Sequence, residues 1–250
     1  MINHSVITIN FNNKDGLRKT IESVVNQTYK NFEYIIIDGG STDGSLDVIR
    51  EYAKKISYWI SEPDNGIYNA MNKGILKSKG EYLQFLNSGD WLVDNTVFEK
   101  LFNEIPTCDL LYGNIIMVKQ DGRFQINYGQ KGNEITFYTL YRETINHPSA
   151  FIRRGLFLEY GLYDEQLKIV SDWKFFLMAF GLNKSNIIYK NIEVSYYDTS
   201  GISSNQYENM LERNKVLSDL VPGPILADYK KNELDSRNLT LIRKYSLTSI

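Results

Sequence analysis

A single cysteine, Cys108, stands among 250 residues. That excludes an internal disulfide and any cysteine-cluster metal site, and Cys108 reads as a small buried hydrophobe. Histidine is nearly as scarce, with only His4 and His147; His4 reads as a surface residue. Charge of either sign is not in excess. Lys and Arg number 28 against 30 Asp and Glu, a formal net charge of −2, which gives no support to a nucleic-acid partner. No apolar run approaches the roughly 18 residues of a membrane span. The start, Met1 to Val6, lacks a charged region followed by an apolar one, so no signal peptide is expected. The expectation is a soluble, cytoplasmic protein. No repeat or low-complexity segment shows, and the length suits one large domain, or one domain with a small appendage. What is plentiful is tyrosine, with 18 copies beside 12 Phe and 3 Trp. Such a supply favours large half-polar surfaces, which sugar-handling proteins and many others use.

The pattern of elements is legible from the start. Ser5–Phe11 predicts a strand, ending in a turn at Asn12-Asn13. Leu17, Ile21, Val24 and Val25 then recur at helical spacing. Phe32–Ile37 predicts a second strand, closed by Asp38-Gly39-Gly40-Ser41-Thr42-Asp43-Gly44. A helix follows with Leu46, Ile49, Ala53 and Ile56 on one face and Ser45 as N-cap. Tyr58–Ser61 is a short strand, and Ile67, Met71, Ile75 and Leu76 mark the next helix, up to Gly80. This alternation predicts a parallel sheet with right-handed crossovers.

The stretch Gly80–Leu92 organises the rest. Tyr82, Leu83, Phe85 and Leu86 read as a buried strand that breaks abruptly into Asn87, Ser88, Gly89 and Asp90. Open α/β sheets bind ligands along the C-terminal edge of their strands. Asp90 is therefore expected to hold a divalent metal on a diphosphate. Beyond it the rhythm changes. A short helix is expected at Val97–Phe102, then strands Asp109–Val118 and Arg123–Tyr128 joined at Gln120-Asp121-Gly122. Glu134–Arg142 is ambiguous; Ser149–Ile152 reads as a strand and Gly155–Tyr160 as a short helix. Asp172–Phe180 is apolar nearly all round and predicts a buried helix. Asn186–Tyr189 and Ile192–Tyr197 predict two closing strands. An amphipathic helix carrying Tyr207, Met210, Leu211 and Leu217 precedes Pro222, and the last 26 residues look helical.

Several long motifs in fixed order carry a resemblance. They are Ser23–Glu33, Ile37–Asp43, Ser61-Glu62-Pro63-Asp64-Asn65-Gly66-Ile67-Tyr68-Asn69-Ala70-Met71-Asn72-Lys73-Gly74, Gly80–Asp90, Asn146–Phe151, Gly161–Glu165 and Gly201–Ser204. Together they resemble family 2 glycosyltransferases over most of residues 4–204. The resemblance implies a GT-A fold, a three-layer α/β/α arrangement on a mostly parallel mixed sheet. It also implies a nucleotide-diphosphate sugar donor, a Mg²⁺ or Mn²⁺ ion, and transfer with inversion at the anomeric carbon. Residues 1–204 would form the GT-A domain and 205–250 a C-terminal helical extension.

Each candidate residue has a chemical reading and a plainer one. Asp38 ends the second strand, where a carboxylate can accept a hydrogen bond from a base N–H, as the resemblance implies; the plainer reading is a turn former. Gly39 stands where the family usually has a second Asp. Asp64 and Lys73 bracket the third crossover, and the resemblance places them near nucleoside and phosphate, against a helix start and a solvated lysine. In the metal motif the family commonly has carboxylates at the positions of Asn87, Gly89 and Asp90, and only Asp90 is one here. Mg²⁺ usually takes one or two carboxylates plus phosphates and waters, so the donor is expected to complete the site, with Asn87 offering a carbonyl oxygen. Asp172 matches the catalytic base, or is a helix N-terminal Asp favoured by the macrodipole. His147 is a contact to phosphate, acceptor or metal. Tyr68, Trp91 and Tyr197 are sugar-facing aromatics or core, and Gly201–Ser204 a lid.

The expected function is transfer of a sugar, from a UDP-sugar by preference, to a glycan or lipid-linked acceptor in bacterial surface-polysaccharide assembly. The acceptor would sit at the inner membrane face, where the C-terminal helices could make peripheral contact or pair two chains. Two rivals are a non-catalytic nucleotide-sugar binding protein and a sugar nucleotidyltransferase. The first is favoured by the missing metal carboxylates and opposed by Asp172; the second would need a Gly-rich basic loop where Asn12-Asn13-Lys14-Asp15-Gly16 stands.

Overall fold

β-Branched runs alternating with amphipathic helices give the expected βαβ succession in the computed structural model, which describes residues 3–104, 106–119, 121–199 and 205–233. The chain divides into two units, Met1–Ser204 and Asn205–Ile250. The first opens with β1 (His4–Asn10), α1 (Lys14–Val25), β2 (Phe32–Asp38), α2 (Ser45–Tyr52), β3 (Tyr58–Ser61), α3 (Ile67–Lys77) and β4 (Tyr82–Phe85). It continues with β5 (Trp91–Leu92), α4 (Val97–Phe102), β6 (Leu110–Val118), β7 (Phe124–Asn127), α5 (Phe137–Arg142), β8 (Ala150–Arg153), α6 (Gly155–Glu159), α7 (Ser171–Phe176) and β9 (Ile187–Asp198).

The sheet order is β3-β2-β1-β4-β8-β6-β9-β5, with β7 paired to β6. β1 pairs in parallel with β2 and β4, and β2 with β3. β8 returns antiparallel between β4 and β6, and β9 runs parallel to β6. Right-handed crossovers put α1 and α2 on one face and α3 on the other, because the step from β3 back to β4 reverses direction. Accordingly α1 packs on α2, and α3 on β1 and β2. This is the mixed α/β arrangement of GT-A proteins. The core lies between these layers: Val6, Ile7 and Ile35–Ile37 of the central strands are fully buried, as are Leu17, Ile21 and Val24 of α1.

Three sequence expectations need correction. His4 is fully buried, its ring stacked on Phe32 and Phe102 and edge-on to Phe98 and Phe151. The closing strands are one strand, β9; register shifts against β6 around Asn114 absorb the extra residues of the polar stretch between Tyr189 and Glu193. Ser45 is not the N-cap of α2 but its first residue, and its hydroxyl donates to Asp43 Oδ1 at 2.6 Å. Asp43 Oδ1 also accepts from Ser45 N at 3.0 Å, one residue before Gly44, which stands at the N-cap. The ambiguous Glu134–Arg142 resolves into α5, started by a capping box between Thr136 and Thr139. The buried helix forms as expected: α7 runs on as a π-helical turn, Leu177–Gly181, with Trp173, Phe175, Phe176 and Leu177 all buried.

In the second unit, α8 (Gln206–Leu220) begins where the Asn205 side chain accepts from Glu208 N, and residues 223–233 are helical. Val216 and Leu217 are buried, while Tyr207, Met210 and Leu211 are exposed, so the apolar face is only partly covered. Gln120, the Gly201–Ser204 turn and residues 234–250 lie outside the described residues. Among those described, no helix is long and apolar enough to cross a membrane.

Candidate active site

Parallel register brings the polar strand ends to one edge of the sheet. Asn10 of β1 lies opposite Asp38 of β2, which lies opposite Ser61 of β3. The consequence for Asp38 is saturation. Its Oδ1 accepts from Asn10 Nδ2 at 2.7 Å and Ser41 Oγ at 2.6 Å; its Oδ2 accepts from Ser41 N at 2.9 Å and Ser61 Oγ at 2.6 Å. A carboxylate has about four acceptor sites, and this one, fully buried, has four donors. Burial works to raise its pKa, but the hydrogen bonds from Ser41, Ser61 and Asn10 prevail and hold it below the usual range. In this structure Asp38 knots the loop.

The next position is occupied from another direction. A β-carbon on Gly39 would collide with Asp64 Oδ2 and lie 3.2 Å from Phe11 Cδ2. The Asp64 carboxylate therefore fills the space a side chain at 39 would take, beside a Phe11 ring that is 64% exposed. Asp64 Oδ1 accepts from Gly66 N at 2.9 Å. Lys73 pairs with Glu62 Oε1 at 2.8 Å and donates to Pro63 O at 3.2 Å. It steadies the loop that carries Asp64.

Along the same edge, Asp90 follows β4 in a tight turn. Its N–H donates to Asn87 O at 2.9 Å, and Gly89 adopts φ +103°, which a glycine accepts without strain. The α1 residue Thr20 fastens this turn, donating to Asp90 O at 2.6 Å and accepting from Gly89 N at 3.1 Å. The Asp90 carboxyl is 4% exposed and accepts from Asp198 N at 3.0 Å. Burial pushes it up to about 8, with the charge of Asp198 adding to the rise. Among the described residues Asn87 Oδ1 is buried with no hydrogen-bond partner. Among the described residues no group of three or more His, Cys, Asp or Glu could hold a metal. One buried carboxylate and one orphaned carbonyl oxygen are hard oxygen donors and suit Mg²⁺ or Mn²⁺ when donor phosphates supply the rest. Beside them Trp91 is stacked on Tyr196, ring centroids 4.6 Å apart, with Lys19 Nζ over its other side at 3.0 Å.

Asp172 sits in the first turn of α7, 22% exposed. Tyr68, from α3, directs its hydroxyl to Asp172 Oδ1 at 2.9 Å and to Ile169 O at 2.7 Å. His147 Nδ1 lies 3.9 Å from Asp172 Oδ2, and its Nε2 is 3.0 Å from Tyr163 OH. Burial pushes the imidazole pKa down against the pull of Asp172, so the ring is neutral at pH 7. The structure places His147 beside Asp172, stacked on Phe85. Tyr68 likewise serves Asp172 rather than a sugar face, being 4% exposed. Sequence reasoning missed Asp198 and Phe11. Asp198 carries the signal used for Asp90, a carboxylate at the end of an apolar strand.

Comparison with known proteins bears on this arrangement. Glycosyl transferase family 2 matches residues 5–161. The chain is 29% identical over 211 residues to a PGL/p-HBAD biosynthesis glycosyltransferase of Mycobacterium bovis, covering 80% of this chain and 78% of that one. It is 32% identical over 223 residues to an uncharacterized glycosyltransferase of Mycobacterium tuberculosis, covering 86% and 80%. The fold is similar to the crystal structure of S. aureus TarS 1-349 in complex with UDP-GlcNAc, with a TM-score of 0.64, 20% identity, and coverage of 82% of this chain and 61% of that one. The chain thus spans under two thirds of that TarS fragment. With the family matched over more than half its length, the protein belongs to glycosyl transferase family 2 and is a GT-A glycosyltransferase.

Proposed function

We propose that this glycosyltransferase moves a sugar from a UDP-sugar to a glycan or lipid-linked acceptor, with inversion, in surface-polysaccharide assembly. The observation that carries the reading is a pair of carboxylates in opposite settings. Asp90 is buried beside the unpartnered Asn87 oxygen, as a cation site requires. Asp172 is partly open and oriented by the Tyr68 hydroxyl, as a base requires. The TarS structure named for UDP-GlcNAc supports a UDP-sugar, and the relative named for PGL/p-HBAD biosynthesis supports a biosynthetic role.

In this reading Asp172 takes the proton of the acceptor hydroxyl as that oxygen attacks the anomeric carbon. The bond to the diphosphate oxygen breaks on the opposite face, giving inversion in one displacement. Such a base contributes roughly 10²–10⁴-fold. A divalent ion held by Asp90 and Asn87 would supply Lewis-acid stabilisation of the departing diphosphate, worth several kcal/mol. Residues 1–204 would form the catalytic domain, and 205–250 an extension for peripheral membrane contact or pairing of chains. A non-catalytic binding protein would have no use for an oriented Asp172, and family membership displaces the nucleotidyltransferase alternative.

The test is a thermal-shift panel of nucleotide sugars with and without Mn²⁺. A saturating ligand stabilises by about 2.7 kcal/mol at one hundred times its Kd. At about 2–4 °C per kcal/mol for a domain of this size, the right donor with Mn²⁺ should raise the midpoint by about 5–10 °C. Neither should do so alone, and Asp90→Asn should abolish the joint shift. A comparable rise with Mn²⁺ and no nucleotide would count against the reading.

A further inference from the structure

The returning half of the sheet leaves one face open at its outer edge. Register sets Trp91 of β5 opposite Tyr196 of β9, Tyr196 opposite Ile116 of β6, and Ile116 opposite Ile126 of β7. Residues directly opposite one another share a face, so these four make one cross-strand row. Phe124 stands two residues from Ile126 and therefore on the same face, its ring edge-on to Tyr196 with centroids 5.7 Å apart. Burial falls away outward along the row. Trp91 and Tyr196 are half-buried, whereas Ile126 is 39% and Phe124 64% exposed. Tyr128, just past the end of β7, is also exposed and carries Lys131 Nζ over its ring at 4.9 Å.

Positive charge is gathered at the same place. Residues 119–131 carry three cations, Lys119, Arg123 and Lys131, against one carboxylate, Asp121, in a chain whose net charge is −2. Cations on an edge strand deter pairing with another strand. That role accounts for the lysines but not for the exposed Phe124 and Ile126. An anionic bilayer surface accounts for both. Aromatic and aliphatic side chains enter the headgroup boundary while flanking Lys and Arg meet the lipid phosphates. A second copy of the chain suits this face less well, since self-pairing would bring like charges together.

We propose that the β6–β7 hairpin is a membrane-contact surface, with Phe124 and Ile126 entering an anionic bilayer and Lys119 and Lys131 flanking them. This goes beyond the reading above, which gives membrane contact to 205–250, and vesicle binding needs neither donor nor turnover. The position of the hairpin gives the contact a use. Val118 lies opposite both Phe124 and Asp198, and Asp198 N donates to the Asp90 carboxyl, so the hairpin turns at the catalytic edge. Three strand spacings of about 4.8 Å separate Trp91 from Ile126, about 14 Å in all. An acceptor held in that bilayer meets the edge that carries Asp90, not the opposite one.

The experiment is co-sedimentation of the full-length chain with vesicles of phosphatidylcholine alone, or of phosphatidylcholine with phosphatidylglycerol. Beside the wild type it uses two double variants, Phe124→Ser with Ile126→Ser and Lys119→Gln with Lys131→Gln. Phe124 and Ile126 are exposed, so the serine pair should leave the urea midpoint unchanged. The wild type should bind the anionic vesicles at least about tenfold more tightly than the neutral ones, and less tightly as salt rises. The serine pair should weaken binding about tenfold or more. The glutamine pair should do so by about tenfold on the anionic vesicles alone. A wild type that ignores both kinds of vesicle, or binds them equally, overturns the proposal. So do variants that bind as well as the wild type, which would move the contact to another surface. Sedimentation velocity adds one more outcome against it: a dimer that the serine pair dissociates would give the face to a second copy.

Discussion

Asp172 acquires its character from two neighbours that sequence spacing does not connect to it. Tyr68 is 104 residues away in the chain, and neutral His147 stands 3.9 Å off without a formal bond. Asp172→Asn keeps the acceptor of the Tyr68 hydroxyl and removes only the basicity. Turnover should fall about 10²–10⁴-fold with donor affinity unchanged by calorimetry; unchanged turnover would take Asp172 out of the mechanism. The other histidine carries a stability prediction. His4 is held neutral in an aromatic cage, neither ring nitrogen has a partner, and burial lowers its pKa from 6.5 to about 3. A group whose folded pKa lies below its unfolded value leaves stability intact above about pH 6.5. That stability drains as pH falls toward 3, because the unfolded chain takes up the proton first, at up to about 1.4 kcal/mol per pH unit. His4→Phe should flatten the fall in urea midpoint between pH 7 and pH 5. An equally steep fall in the variant would assign the acid sensitivity elsewhere. At this scale the sequence showed which carboxylates end strands but not which were already used. Asp38 is filled by Asn10 and Ser61, its cross-strand neighbours, and that requires the register.

Helix α3 is the element on which both ends of the site depend. Its first turn presents Tyr68 to Asp172, and Lys73 grips the loop holding Asp64. Asn72 donates to Tyr163 O at 2.9 Å, tying the helix to the segment beside His147. This requires close approach to the sheet, and Gly74 permits it: a β-carbon there would collide with Ile7 Cγ2, and Ile7 is fully buried. Gly74→Ala should therefore overpack the layer at a cost of about 1–3 kcal/mol, seen as a lower urea midpoint despite the better helix propensity of alanine. A variant as stable as the parent would show that the layer can relax. Elements of the first half were legible because each strand is a buried run between turn residues. In the second half the pattern blurred where pairing, rather than periodicity, decides. Two-residue β5 exists only through its pairing with β9, and β9 continues through Lys190-Asn191 because β6 accommodates a bulge.

For the molecule as a whole, the parallel half β1–β4 collects Asn10, Asp38, Asn87 and Asp90 at one edge, and the returning half adds Asp198 beside Asp90 through β9. The family and fold were readable because long motifs in fixed order constrain both. The composition of the site was only half readable, since the surroundings of Asp90 and Asp172 are assembled from distant strands. Aromatic residues follow the same division: Trp173 is sealed in the core, its Nε1 donating to Leu140 O at 2.6 Å, and Trp59 lies on β3. Trp91 is different, adjoining Asp90 in the chain, with a cation on one face and a phenol ring on the other. An indole in such a charged sandwich emits at a wavelength set by the local field. With Trp59 and Trp173 replaced by Phe, the colour of the protein's own fluorescence becomes a label-free gauge of what arrives at Asp90.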